Sequence, residues 1–125
     1  MREIMKFIDF NDDDAVVVVG NTVPGDMIVD GRIVITTAFS ANSVMDVGFV
    51  ADNQGSTADP NALVTAAVMT SAASLAIDEL AASTNKQCTV ADQITASLTS
   101  SGAITAGKAM IWLLIANSNP LNDDS

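Results

Sequence analysis

The residues of this chain that could do chemistry are few, and each set falls short of a site. Gly102-Ala103-Ile104-Thr105-Ala106-Gly107-Lys108 satisfies the G-x-x-x-x-G-K spacing of a phosphate-binding loop. There, backbone N–H groups cradle phosphates and the lysine reaches the terminal ones. The next residue is Ala109, so the hydroxyl that would hold magnesium is missing, and Lys108 opens an apolar, strand-like run where the motif requires a helix N-terminus. The segment is expected to be a loop between two strands, with Lys108 at the mouth of the second.

Asp9, Asp12, Asp13 and Asp14 could offer hard oxygen ligands to calcium, but no glycine follows at the turn position and no glutamate closes the loop. A solvated acidic turn is the expectation. Asp46, Asp52 and Asp59 form a second, sparser set, of which Asp52 and Asp59 are expected to cap loops through local backbone hydrogen bonds. The chain has no His and no Tyr, and no serine stands in a G-x-S-x-G turn, so general bases reduce to carboxylates and lysine. Two carboxylates could serve a glycosidase, but one Trp and four Phe are a thin supply of sugar-stacking platforms. Cys88 stands alone, so no internal disulfide forms, and without a base beside it the thiol reads as a small buried apolar group. No catalytic residue, cofactor or metal is called for, and enzyme activity is not expected.

That leaves Met110, Trp112 and Leu114 to be explained. Residues 109–116 are all apolar. In a strand, Ala109, Ile111, Leu113 and Ile115 share one face and Met110, Trp112 and Leu114 the other. If the first row enters the core, the second is an apolar patch that water does not favour. It is either a subunit interface or the outer face of a central strand covered by a helix or by the N-terminal segment.

The elements that carry these residues read as short strands. Residues 2–10 lean to β and form a strand or an edge-hugging arm. Four valines, Val16 to Val19, favour a pleat by their β-branching, with Gly20-Asn21 ending the strand. Pro24-Gly25 marks a turn in which proline presets φ and glycine takes the left-handed position. A short strand over 27–30 is broken by Gly31. Over 32–39 alternation puts Ile33, Ile35, Thr37 and Phe39 on one face. Residues 44–50 form a strand with Gly48 inside it, a place for a bulge or a close neighbouring backbone. Asp59-Pro60 resembles an N-cap followed by proline at the first helical position, which predicts one or two helical turns over 60–67. The helix either continues to Ala73 or gives way to a strand through Leu75 and Ile77. Residues 87–91 extend, and over 94–99 Ile94, Ala96 and Leu98 alternate with Thr95, Ser97 and Thr99.

About eight short strands spaced by turns at roughly ten residues predict an all-β fold, an antiparallel β-sandwich of jelly-roll-like type with one short helix. A length of 125 residues sets one domain. We divide it into an N-terminal arm or edge strand over 1–12, the sandwich over 13–117 and a flexible acidic tail over 118–125. Fifteen acidic against five basic residues give a net charge of −10, which repels nucleic acid and anionic membrane. The opening residues are too charged for a signal peptide, and the run from Ala109 is too short for a membrane span, so cytosolic synthesis is expected.

Val44-Met45-Asp46-Val47-Gly48-Phe49, then Ala51-Asp52, then Asp59-Pro60-Asn61-Ala62-Leu63, and Thr105-Ala106-Gly107-Lys108 feeding a closing apolar strand, together resemble small structural proteins of tailed bacteriophages. In that family an Asp-Val-Gly strand precedes an Ala-Asp loop and a segment beginning Asp-Pro, and a Thr-Ala-Gly turn leads into the last strand. The resemblance spans roughly residues 32–116; residues 65–91 are richer in alanine than the pattern, and the first forty match only in general character. It implies a capsid decoration or cement protein that assembles as a homo-oligomer, a trimer favoured and a dimer possible, and binds the major capsid protein. It further implies a place on the capsid exterior after synthesis in the host cytoplasm. In that setting Met110, Trp112 and Leu114 pair subunits, and Ile4, Phe7 and Phe10 form the capsid-binding arm. The alternative is a receptor- or glycan-binding sandwich of a phage fibre, tail or cell surface.

Overall fold

A computed structural model describes residues 2–12, 16–40, 42–50, 59–77 and 88–117. Among them are eight strands: β1 (Arg2–Asp9), β2 (Val16–Thr22), β3 (Asp26–Thr37), β4 (Ser43–Phe49), β5 (Asp59–Val68), β6 (Ala73–Ala76), β7 (Asp92–Ser100) and β8 (Lys108–Asn117). They form two four-stranded sheets, ordered β1-β8-β3-β6 and β2-β7-β4-β5, with every pairing antiparallel. In each sheet the chain's outer strands interleave with its inner ones, which is the strand order of a jelly roll. The sandwich expected from the strand count is present.

The core lies between the sheets. Ile28, Ile33, Ile111, Leu113 and Ile115 from the first sheet meet Met45, Val47, Phe49, Leu63, Ile94 and Leu98 from the second, and all are buried. Period-two alternation made this possible, since each strand offers one apolar row to the interior.

The expected helix over 60–67 is absent: those residues belong to β5, and a single 3-10 turn (Phe10–Asp12) is the one helical element among the described residues. Continuation of that helix to Ala73 is likewise overturned by β6. Asp59-Pro60 is compatible with a helix start, but β5 is an edge strand bonded only to β4, where proline's missing N–H costs no ladder bond. Tertiary burial of Ala62, Leu63 and Val64 decides between the two.

Gly31 does not break the chain into two strands; β3 runs straight through it. A Cβ there would stand 2.6 Å from Ile77 Cδ1 and 2.9 Å from Leu113 Cδ2, so glycine is needed for close approach. The interruption in pairing instead falls as a bulge at Val29, between Ile28 and Asp30. A second bulge, between Ile35 and Thr37, turns Thr37 to the outside beside Lys108 and away from the face it was expected to share with Ile33 and Ile35. β2 likewise continues past Gly20 to Thr22 by a bulge at Val19, and β7 begins at Asp92, later than the extended stretch expected over 87–91. Around Gly48 the β4–β5 register is irregular, as the glycine indicated.

The Pro24-Gly25 turn has the expected form, with Gly25 at φ 95° and Asp26 N–H donating to Val23 O at 3.0 Å.

Candidate interaction surface

The central strand of the first sheet is β8, flanked by β1 and β3. Its parity is that read from the alternation: Ala109, Ile111, Leu113 and Ile115 are buried, whereas Met110, Trp112 and Leu114 lie on the outer face and are half-buried. No helix covers that face among the described residues. Strand register places Phe7 and Val34 on either side of Met110, Met5 and Arg32 beside Trp112, and Glu3 and Asp30 beside Leu114. Phe7 is 73% exposed and Met5 56%. Met5, Phe7, Met110, Trp112, Leu114 and Val34 therefore make one apolar patch over three strands, of a kind that monomeric proteins seldom leave in water.

The sequence had put Ile4, Phe7 and Phe10 together on one arm. The structure separates them: Ile4 and Phe10 are partly buried against the core, and Phe7 alone projects outward. Alternation is the cause, because Ile4 shares the inward row with Ile8, which is 2% exposed. Eight register pairs with β8, from Arg2↔Ile115 to Asp9↔Lys108, make these residues an edge strand. Sequence reading passed over Met5, whose signal was its period-two spacing from Phe7.

A buried polar cluster fixes β1 in that register. Asp26, at the start of β3, is fully buried. Arg2 donates to it twice, Nη1 to Oδ1 at 3.0 Å and Nη2 to Oδ2 at 2.5 Å. Val23 N–H donates to Oδ2 at 2.9 Å and Asn117 Nδ2 to Oδ1 at 2.7 Å. Burial pushes the Asp26 pKa up, but the Arg2 hydrogen bonds outweigh it with help from Val23 and Asn117, and the net shift is downward. One carboxylate thus joins the start of β1, the turn before β3 and the end of β8. Nothing in the sequence marked Asp26, since a carboxylate after Pro-Gly looks like an ordinary turn residue.

Cys88 sits beside this cluster, 3% exposed, its Sγ 3.1 Å from Thr22 Oγ1 and 2.9 Å from Val90 O. Burial raises its pKa, the Thr22 contact opposes this, and the Asp92 and Asp26 charges add to the rise, so the thiol stays protonated.

Gly107 (φ 148°) packs against Phe39, and Lys108 begins the strand that was expected after it, with no helix N-terminus facing the loop. The Asp9 carboxylate accepts from Asn11 N–H and Asp12 from Asp9 N–H, while Asp13 and Asp14 lie outside the described residues. Asp46 accepts from Ala66 N–H at 2.6 Å. Asp52 and the tail over 118–125 also lie outside the described residues, and the backbone of Asp59 pairs with Phe49 in the β4–β5 ladder. Among the described residues no three His, Cys, Asp or Glu side chains gather as a metal site.

Fold and surface together define a jelly-roll β-sandwich whose first sheet presents an apolar outer face. No family model and no curated protein matches the sequence. Among solved structures, the fold is similar to that of a chain in the capsid asymmetric unit of cyanophage Pam1, with a TM-score of 0.62 and 11% identity. The match covers 90% of this chain and 81% of that one. At that identity the likeness is one of fold.

Proposed function

We propose that this chain is a structural protein of a phage virion, a decoration or cement protein that binds the assembled shell through protein–protein contacts and performs no chemical step. The observation that carries the reading is the apolar outer face of β1, β8 and β3, on a fold shared with a chain of a phage capsid. Covering Phe7 and Met5 would contribute roughly 2 kcal/mol each, and the half-buried Met110, Trp112 and Leu114 somewhat less. Such a patch is enough to offset much of the entropy lost on association.

In this reading Met110, Trp112 and Leu114 join copies of the chain, and the protein sits on the capsid exterior against the major capsid protein after synthesis in the host cytoplasm. Phe7 is the capsid-facing residue of β1, while Ile4 and Phe10 hold that strand to the core. The outer edge of β1, which no other described strand pairs, offers backbone groups to an added strand of the shell. Because the protein binds only the assembled state, mass action stabilises that state.

The test is co-sedimentation of the purified protein with assembled capsids that lack it, followed by electron microscopy of the decorated particles. Saturable binding with new density on the outer surface is expected, and a Phe7→Glu variant should bind at least tenfold more weakly. Failure of the wild-type protein to co-sediment would overturn the reading.

A further inference from the structure

At the Lys108 end of the first sheet's outer face lies a pocket of about 340 Å³, walled by Phe7, Met110, Asp9, Lys108 and Thr36. Register sets its two halves: Phe7 and Met110 pair in one outer row, and Asp9 and Lys108 in the next. Across β8, the bulge between Ile35 and Thr37 leaves Thr36 exposed, as bulges re-aim the side chains beside them. Although Asp9 and Lys108 are register partners, their charged groups form no salt bridge with each other. The Lys108 ammonium has no partner among the described residues, and Asp9 Oδ1 accepts from Asn11 N–H at 2.8 Å. Thr36 Oγ1 donates to Lys108 O at 3.3 Å, and its oxygen keeps lone pairs for a further donor.

We propose that this pocket binds a pyranose sugar, its C–H face stacked on the Phe7 ring and its vicinal hydroxyls bonded to Asp9, Lys108 and Thr36. The Phe7 ring, 73% exposed, and the Met110 thioether ask for an apolar surface on the ligand, and the ring's negative face attracts C–H groups. The opposite half asks for a neutral ligand that both donates and accepts. Asp9 and Lys108 stand side by side, so a ligand of either net charge meets a like one. Asp12, whose carboxylate accepts from Asp9 N–H at 3.0 Å, adds a second negative charge and weighs further against anions.

A zwitterion would match both signs, but it would give up its hydration for pairs with an exposed Lys108 and a half-buried Asp9, where ion pairs contribute little. A vicinal diol loses far less water, donates to the carboxylate and accepts from the ammonium, and hydrogen bonds to charged groups are the stronger kind. Size agrees, since 340 Å³ is near the lower end of the ~300–1,000 Å³ of small-molecule sites and suits one sugar ring. Openness to water holds the affinity to the order of a millimolar. This role goes beyond shell binding and does not rest on it, although Phe7 serves both.

Amide NMR of the full chain, titrated to tens of millimolar with the methyl glycosides of glucose, galactose, mannose and N-acetylglucosamine, tests the site. Saturable shifts at Phe7, Asp9, Thr36 and Lys108 are expected with at least one of the four. Phe7→Leu, which keeps an apolar side chain without the ring, and Asp9→Asn should each weaken that sugar roughly fivefold or more. Val16→Thr, on the second sheet, should leave it unchanged. Thermal melts check folding, and Lys108→Gln serves if Asp9→Asn is unfolded. No shift at these amides with any of the four sugars, full affinity in folded Phe7→Leu, or tighter binding there of tetramethylammonium or glycine would overturn the proposal. Sugar binding is read without capsids and shell binding without sugar, so the failure of one is distinct from the failure of the other.

Discussion

The guanidinium of Arg2 forks onto the buried carboxylate of Asp26, with contacts of 3.0 Å and 2.5 Å, and ties the first strand to the turn that starts the third. This pair anchors the start of β1, whose residues 2–9 pair with β8 along their whole length. Detaching β1 would strip an edge from β8 and leave Asp26 charged and buried without its cation.

Asp26→Asn should therefore cost about 2–3 kcal/mol in urea unfolding, below the 3–5 kcal/mol of a wholly buried pair because Arg2 keeps some contact with water. The folded pKa of Asp26 lies below its unfolded value. Its contribution is thus complete above about pH 4 and is lost as pH falls through the lowered pKa. Urea midpoints measured from about pH 5 to pH 2 should fall more steeply for the wild type than for the variant. Parallel curves would contradict the assignment.

Gly107→Ala should destabilise by more than about 2 kcal/mol, since the added Cβ would stand 2.3 Å from the Phe39 ring at a positive φ. Combining it with Phe39→Ala should cost less than the sum of the two single changes, because the ring is the obstacle. Strict additivity in calorimetry would show that backbone strain alone acts.

Ala66 adopts φ 52° at the β4–β5 register shift between Met45 and Val47, its N–H held by Asp46. Ala66→Gly should be neutral to stabilising by up to about 1 kcal/mol, whereas Ala66→Val should destabilise by more than about 1 kcal/mol, since β-branched residues tolerate this region poorly. Equal effects would deny the left-handed conformation.

The two rows of β8 should respond differently. Ile111→Ala, in the core, should cost about 2–5 kcal/mol of stability. Trp112→Glu, on the outer face, should stay folded with a melting temperature within a few degrees of wild type and lose self-association in sedimentation. A Trp112→Glu variant that remains oligomeric would remove the face from the assembly.

Much of this was legible in the residues. Alternation named the buried row Ala109, Ile111, Leu113 and Ile115, and the Pro24-Gly25 turn followed from backbone preference alone. Where reading failed, a local signal was compatible with two structures. Asp59-Pro60 fits a helix start and an edge strand equally, and Gly31 fits a chain break and a close approach. Neighbours distant in sequence, β4 in one case and Leu113 with Ile77 in the other, made the choice.

The amino-acid pattern by itself determined an all-β sandwich and a last strand with two apolar rows, because strand periodicity is a property of the local backbone. Tertiary structure alone decided that β8 lies between β1 and β3, that Met5 and Phe7 join Met110, Trp112 and Leu114 on one outer face, and that Asp26 holds Arg2. Those relations depend on pairings between residues distant in the chain, such as Val34↔Met110 and, across more than a hundred residues, Phe7↔Met110. No local periodicity encodes such a register; the packing of the core sets it.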